Sequence, residues 1–214
     1  MARRMAEESF RREQWEHRYD PHIAPINQLV DELRKGMGAG DSTRWAPYVA
    51  PMYGGVNARI LSVLRDPGPM TQDGKGSGFL CMENDDPTAE AISGLFAGVS
   101  IGAHEIVPWN VYPWYINRAP TAAELEAGIE PLKQIIDLLP KLQVVMLHGG
   151  HAQNGWKRFT RRYPDLVTNQ KLEVIETFHT SRQAFWHADP SVREARREHL
   201  RTSFENAGRY LNAP

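Results

Sequence analysis

Ile60-Leu61-Ser62-Val63-Leu64-Arg65-Asp66-Pro67-Gly68-Pro69 is the stretch on which the fold turns. A run of apolar, partly β-branched residues stops at a charged pair and leaves through Pro-Gly-Pro. This predicts a buried strand over 58–64 that ends in a sharp loop. An acid carried off a strand end into a Gly/Pro-rich turn stands where open α/β sheets bind ligands.

Downstream, the same pattern recurs. The loop 65–87 is long, rich in Gly, Asp and Pro, and holds Phe79, Leu80 and Met82, which mark it as an ordered, functional loop. Thr88 is expected to cap the helix that follows. A second strand is predicted over 105–111, ending in Trp109-Asn110-Val111. Thr121-Ala122-Ala123-Glu124 reads as a capping box that opens a helix to about residue 139. A third strand, 142–147, runs into His148-Gly149-Gly150-His151, followed by a helix over 152–162. A fourth, 172–178, runs into His179-Thr180-Ser181, and Pro190 starts a last, Arg-rich helix to about residue 211. Upstream lie a charged N-terminal helix or arm over residues 1–20, a helix over 22–35 stopped by 36–40, and a loop-like segment 41–57. Strands alternating with helices predict a parallel sheet covered on both faces.

With 214 residues, 41% of them hydrophobic, the chain fits one domain with a full core. The lone cysteine, Cys81, excludes an internal disulfide and a thiolate metal cluster, and points to a reducing, cytoplasmic setting. No apolar run reaches membrane-spanning length, and the N-terminus is too charged for a secretory signal. A net charge of −1 excludes a generally basic nucleic-acid binder. The charge is nevertheless uneven: residues 66–140 hold 3 Lys and Arg against 11 Asp and Glu, and residues 151–214 hold 11 against 7. The basic third is either an ordinary solvated surface or a face that meets phosphates.

Four strand ends thus carry Asp66, Asn110, Gly149-Gly150 and His179. Each has an ordinary reading alone: a turn cap, a turn asparagine, a tight turn, a packed histidine. Phe79 alone could be core. Converging on one crevice, they form a set that can hold a flat heterocycle, stabilise negative charge on it, and stabilise positive charge on a sugar.

In motif order over residues 58–185, the chain resembles the uracil-DNA glycosylase superfamily. Arg65-Asp66-Pro67-Gly68-Pro69 resembles the family's water-activating loop, and Gly76-Ser77-Gly78-Phe79 the stretch that supplies an aromatic under uracil. Trp109-Asn110-Val111 is similar to the strand end whose asparagine reads the uracil edge. Asn117-Arg118-Ala119-Pro120-Thr121 is similar to a segment of some branches. His148-Gly149-Gly150-His151-Ala152-Gln153 resembles a Trp-Gly-Ser-His-Ala-Gln run, and His179-Thr180-Ser181 a His-Pro-Ser motif in a DNA-intercalating loop.

The resemblance implies a three-layer α/β/α fold with a central four-stranded parallel sheet, acting as a monomer on uracil-containing DNA without metal or cofactor. It implies Asp66 and His179 as catalytic residues, and Arg65, Pro67, Gly68, Phe79 and Asn110 around the base. Thr88, Gly149, Gly150, Ser181, Arg182 and Gln183 would meet DNA, with Arg182, Gln183 or Phe185 as the wedge. Lys157, Arg158, Arg161 and Arg162 would add unspecific attraction or simply face solvent. Three positions depart from the pattern. Gly68 replaces a tyrosine that blocks the thymine methyl, Pro69 a histidine, and Thr180 a proline; one cysteine also excludes the iron–sulfur cluster of some branches. Two rival expectations are a hydrolase of free nucleosides or nucleotides and a silent relative that binds uracil-containing DNA.

Overall fold

A computed structural model describes residues 3–35 and 45–212. The helix stop expected at 36–40 and the start of the 41–57 segment lie outside the described residues. The helices are α1 (Glu8–Glu16), α2 (Ala24–Lys35), α3 (Pro87–Gly98), α4 (Ala122–Ala127), α5 (Ile129–Asp137), α6 (Gly150–Arg162), α7 (Pro164–Gln170), α8 (Arg182–Phe185) and α9 (Pro190–Leu211). The strands are β1 (Tyr48–Val49), β2 (Ile60–Leu64), β3 (Phe79–Leu80), β4 (Ile106–Asn110), β5 (Val144–His148) and β6 (Glu173–Thr177).

Four strands form one parallel sheet in the order β4-β2-β5-β6. β2 is flanked on both sides, so its apolar run is fully covered: Ile60, Leu61 and Val63 have no exposed surface. Helices α3 and α9 cover one face; α2, α4, α5 and α6 group over the other. The chain leaves β2 for β4 on one side and returns to β5 on the other. The order therefore reverses at β2, and the crevice of an open sheet opens beyond the carboxyl end of the strand at that reversal. Arg65 and Asp66 stand there.

The local chemistry explains most boundaries. Thr121 Oγ1 accepts from the Glu124 N–H (3.2 Å) while Glu124 Oε2 accepts from the Thr121 N–H (2.7 Å), the capping box expected from the sequence. The helix it opens is two helices, because Gly128 breaks it. A Cβ at Gly128 would lie 1.7 Å from Val111 O, so this backbone can press against the exit of β4 only without a side chain. Helix α3 begins two residues earlier than expected. Asp86, not Thr88, is its cap: Asp86 Oδ1 accepts from the N–H groups of Thr88 (2.8 Å) and Ala89 (2.9 Å). Pro87 decides this, since proline favours the first helical position and leaves the residue before it as the cap.

The N-terminal segment packs on the long loop. Arg3 pairs with Asp85 and Glu90, the Met5 N–H donates to Glu83 O (2.9 Å), and Trp15 meets Tyr48 and Phe79 edge-on, each at 5.8 Å. Strand β3 pairs with β1 beneath this contact, Tyr48 opposite Phe79.

Candidate active site

A cavity of about 710 Å3 opens at the carboxyl edge of the sheet. Arg65, Asp66, Pro67, Gly68, Asn110, Gly149, Gly150, His179, Thr88, Ser181 and Gln183 all line it. Three strand ends thus bring the acid, the carboxamide and the imidazole to one hollow. Leu64 stands opposite Asn110 in the ladder, and His148 opposite Thr177, which sets these positions side by side across the sheet.

Asp66 is almost fully buried at its side chain, 2% exposed. Its Oδ1 accepts from Arg65 Nε, and its Oδ2 has no partner. Burial raises its pKa, although the Arg65 guanidinium, the Asn117 backbone N–H and His151 pull the other way. A carboxylate with one oxygen committed and one open suits a role at a developing cation or at a water.

The His179 ring has a defined tautomer. The Ser181 N–H donates to its Nδ1 at 3.0 Å, so in the neutral ring the proton sits on Nε2. Burial, with the nearby charge of Arg65, lowers its pKa, which favours the neutral ring at physiological pH; the Asp86 charge pulls the other way without reversing the shift. A neutral imidazole with an unused Nε2–H is a donor for a developing oxyanion. Gly149 makes room for it. At φ +88° it occupies the region that favours glycine, and a Cβ there would lie 3.2 Å from His179 Cβ. Gly149 therefore seats the histidine. Gly150, at the first turn of the 13-residue α6, meets nothing within 4 Å of an added Cβ and leaves that helix start open to the cavity.

Asn110 is 3% exposed, and its Oδ1 is buried without a partner. A buried unpaired acceptor at a ligand cavity costs stability unless a ligand donor fills it.

Phe79 is elsewhere. It is fully buried, does not line the cavity, and packs against Trp15 and Tyr48. Successive residues of a strand face opposite ways, and it is Leu80, with Met82, that borders the hollow. On this side the hollow has an apolar wall of Leu80 and Met82, and Phe79, expected under the base, stands outside it. Phe185 likewise turns inward toward Phe178 (6.4 Å), whereas Trp186 is 73% exposed. Arg182 and Gln183 are exposed at the rim. Arg158 is taken up by Glu126 and Asn154.

Sequence reasoning missed Ser62, Asn84 and His148, which also line the cavity. Ser62 Oγ and His148 Nε2 lie 2.9 Å apart, and burial pushes the His148 pKa down to about 3, so it is a neutral floor residue. Asn84 Nδ2 donates to Phe79 O (2.9 Å), leaving Oδ1 unpartnered. A polar Ser62 inside an apolar strand was the available signal.

Fold and site together define an α/β protein with an acid, a carboxamide and a neutral imidazole around a hollow sized for a heterocycle. The model of the uracil-DNA glycosylase superfamily matches residues 51–204, most of the chain, and the protein belongs to that superfamily. No curated protein matches the chain. Among the described residues no group of His, Cys, Asp and Glu could hold a metal ion, and no helix is long and apolar enough to cross a membrane.

Proposed function

We propose that this protein is a DNA glycosylase that hydrolyses the N-glycosidic bond of deoxyuridine in DNA and leaves an abasic site. The observation that carries this is the meeting of Asp66, Asn110 and His179 on one cavity, each with an unused polar atom.

The target nucleotide must first leave the stack, because the bond is out of reach inside it. Asn110 then accepts from uracil N3–H with its open Oδ1 and donates to O4. Cytosine presents the reverse pattern, and a mispaired amide in a dry pocket costs about 1–3 kcal/mol. As C1′–N1 breaks, its electron pair moves onto the base, and His179 Nε2–H donates to O2. Positive charge grows on the deoxyribose, where the Asp66 carboxylate stabilises it. Asp66 also orients the water that attacks C1′ and accepts its proton, which passes to solvent while the base anion is protonated.

Leu80 and Met82 supply the apolar wall. Gly68 carries no side chain, and a Cβ there would meet nothing within 4 Å, so this position does not itself exclude a substituent at C5. Thr88, Gly150 and Ser181 offer hydroxyl and backbone groups to phosphates at the rim. With Phe185 packed inward, the candidates to fill the vacated stack are Arg182, Gln183 and the exposed Trp186.

The test uses duplexes that each carry one uracil, one thymine mismatch, one 5-substituted uracil or one hypoxanthine, followed by alkaline cleavage of abasic sites. Strand breakage at uracil is expected, with breakage at the 5-substituted base as well. Intact strands at stoichiometric protein, or faster release from free deoxyuridine than from DNA, would overturn the reading.

A further inference from the structure

Asp66, Asn110 and His179 leave one charged side chain of the site without a task. Arg65 lines the same cavity and is 38% exposed, whereas the Asp66 side chain beside it is 2% exposed. The guanidinium commits only Nε, to Asp66 Oδ1. Its terminal nitrogens, Nη1 and Nη2, have no partner among the described residues. The charge also reaches His179, whose protonation it disfavours. The guanidinium thus holds the acid through one nitrogen, acts on the imidazole through its charge, and keeps two partly exposed nitrogens unpaired at the cavity.

A charge partner serving only to neutralise Asp66 would give its fork to the carboxylate. A planar fork with two free nitrogens in a partly dry mouth is instead suited to an anionic oxygen. We propose that Arg65 binds an anionic oxygen of the substrate through Nη1 and Nη2 while Nε holds Asp66 in place. This rests on the glycosylase reading above. Two substrate oxygens have the required chemistry: a non-bridging oxygen of a phosphate flanking the flipped nucleotide, and O2 of the departing base.

Two variants test it, Arg65→Met and Arg65→Lys, the second keeping the charge without the fork and serving also where the first fails to fold. Single-turnover release from a uracil duplex is followed from acid to alkaline pH. Without Arg65, only the Asn117 backbone N–H and His151 oppose the effect of burial on Asp66, so the acid limb of the Met variant moves to higher pH. That much a mere charge partner would also show. The proposal adds a deficit of about 10-fold or more that persists on the alkaline plateau, where Asp66 is ionised in both proteins, and that lysine only partly repairs.

Two further arms separate the sources. Binding to a duplex carrying a hydrolysis-resistant 2′-fluorinated deoxyuridine is measured against salt. A phosphate partner makes the slope of log K on log salt shallower by about one, with equal rate losses for uracil and 5-fluorouracil. A departing-base partner leaves the slope unchanged and costs uracil more than 5-fluorouracil, whose anion leaves more readily. A Met variant that equals wild type on the alkaline plateau with an unchanged salt slope overturns the proposal. A wild-type protein inactive on all the duplexes would sink the glycosylase reading instead, with the salt slope still deciding whether Arg65 meets phosphate.

Discussion

Arg59 and Arg65 flank the same strand, one just before β2 and one just after it, and each pairs with a carboxylate. At the entry, Arg59 engages all three nitrogens: Nε and Nη2 go to Glu105 (2.7 and 2.9 Å), and Nη1 goes to Leu211 O (3.0 Å), tying the sheet to the end of α9. The Arg59 hydrogen bond outweighs burial and holds Glu105 below its usual carboxylate range. At the exit, Arg65 spends Nε alone, and burial outweighs it, so Asp66 lies above that range. The linkage signs are opposite. Stability from Glu105 is present above the usual carboxylate range and is lost as pH falls through its lowered pKa. Stability linked to Asp66 is full below the usual range and is lost as pH rises through its raised pKa. The pair with all three guanidinium nitrogens engaged ties elements of the fold together, and the pair with one engaged leaves donors free at the cavity.

The sharpest way to break this contrast is Asp66→Asn. Uracil release should fall by about 10²-fold or more, DNA binding should stay, and the acid limb of the pH–rate profile should vanish. Because a buried carboxylate is removed, the melting temperature should rise. Undiminished turnover, or a lower melting temperature with normal turnover, would place Asp66 with Glu105 among structural groups. Asn110→Asp comes next. Losing the donor toward O4 should slow uracil release about 10-fold, in line with about 1–3 kcal/mol, and narrow its preference over cytosine. Unchanged selectivity would remove Asn110 from base reading.

The sheet and its strand ends were legible because they rest on local signals: apolar runs closed by Asp66, Asn110, Gly149 and His179. The capping box at Thr121 was legible for the same reason. The two-residue strands β1 and β3 were not, since their partners lie about 30 residues apart and neither carries a periodic pattern. That gap also misplaced Phe79, because its direction depends on which face of β3 meets α1. Asp86 was missed although Pro87 beside it was visible, a case of two good caps in one segment. Ser62 and His148 were missed because their pairing spans two strands.

At the entry of β2, Arg59→Met sharpens the comparison from the structural side. Three hydrogen bonds disappear, but both side chains are partly exposed, 30% and 21%, so the loss should be modest, about 1–2 kcal/mol. For a chain of this length that is a fall of about 2–8 °C in melting temperature. Turnover measured well below that temperature should be unchanged. A large loss of turnover at unchanged stability would show that the two ends of the strand are not separate in role.

A small effect on activity is also expected from Phe79, which the resemblance placed under the base. Phe79 and Leu80 are neighbours on β3 and face opposite ways, so they repeat the contrast between fold and site across a single strand. Phe79→Leu keeps an apolar side chain in the Trp15–Tyr48 cluster, gives up the edge-on ring contacts, and should cost about 1–2 kcal/mol of stability. Its KM for uracil-containing DNA should stay within about twofold of wild type, whereas Leu80→Ala, which opens the cavity wall, should raise KM at little cost in stability because Leu80 is only partly buried. Should Phe79→Leu weaken substrate binding and Leu80→Ala leave it intact, β3 would have to turn its aromatic face to the base once DNA is bound. The site described for the free protein would then be an inactive arrangement of the loop.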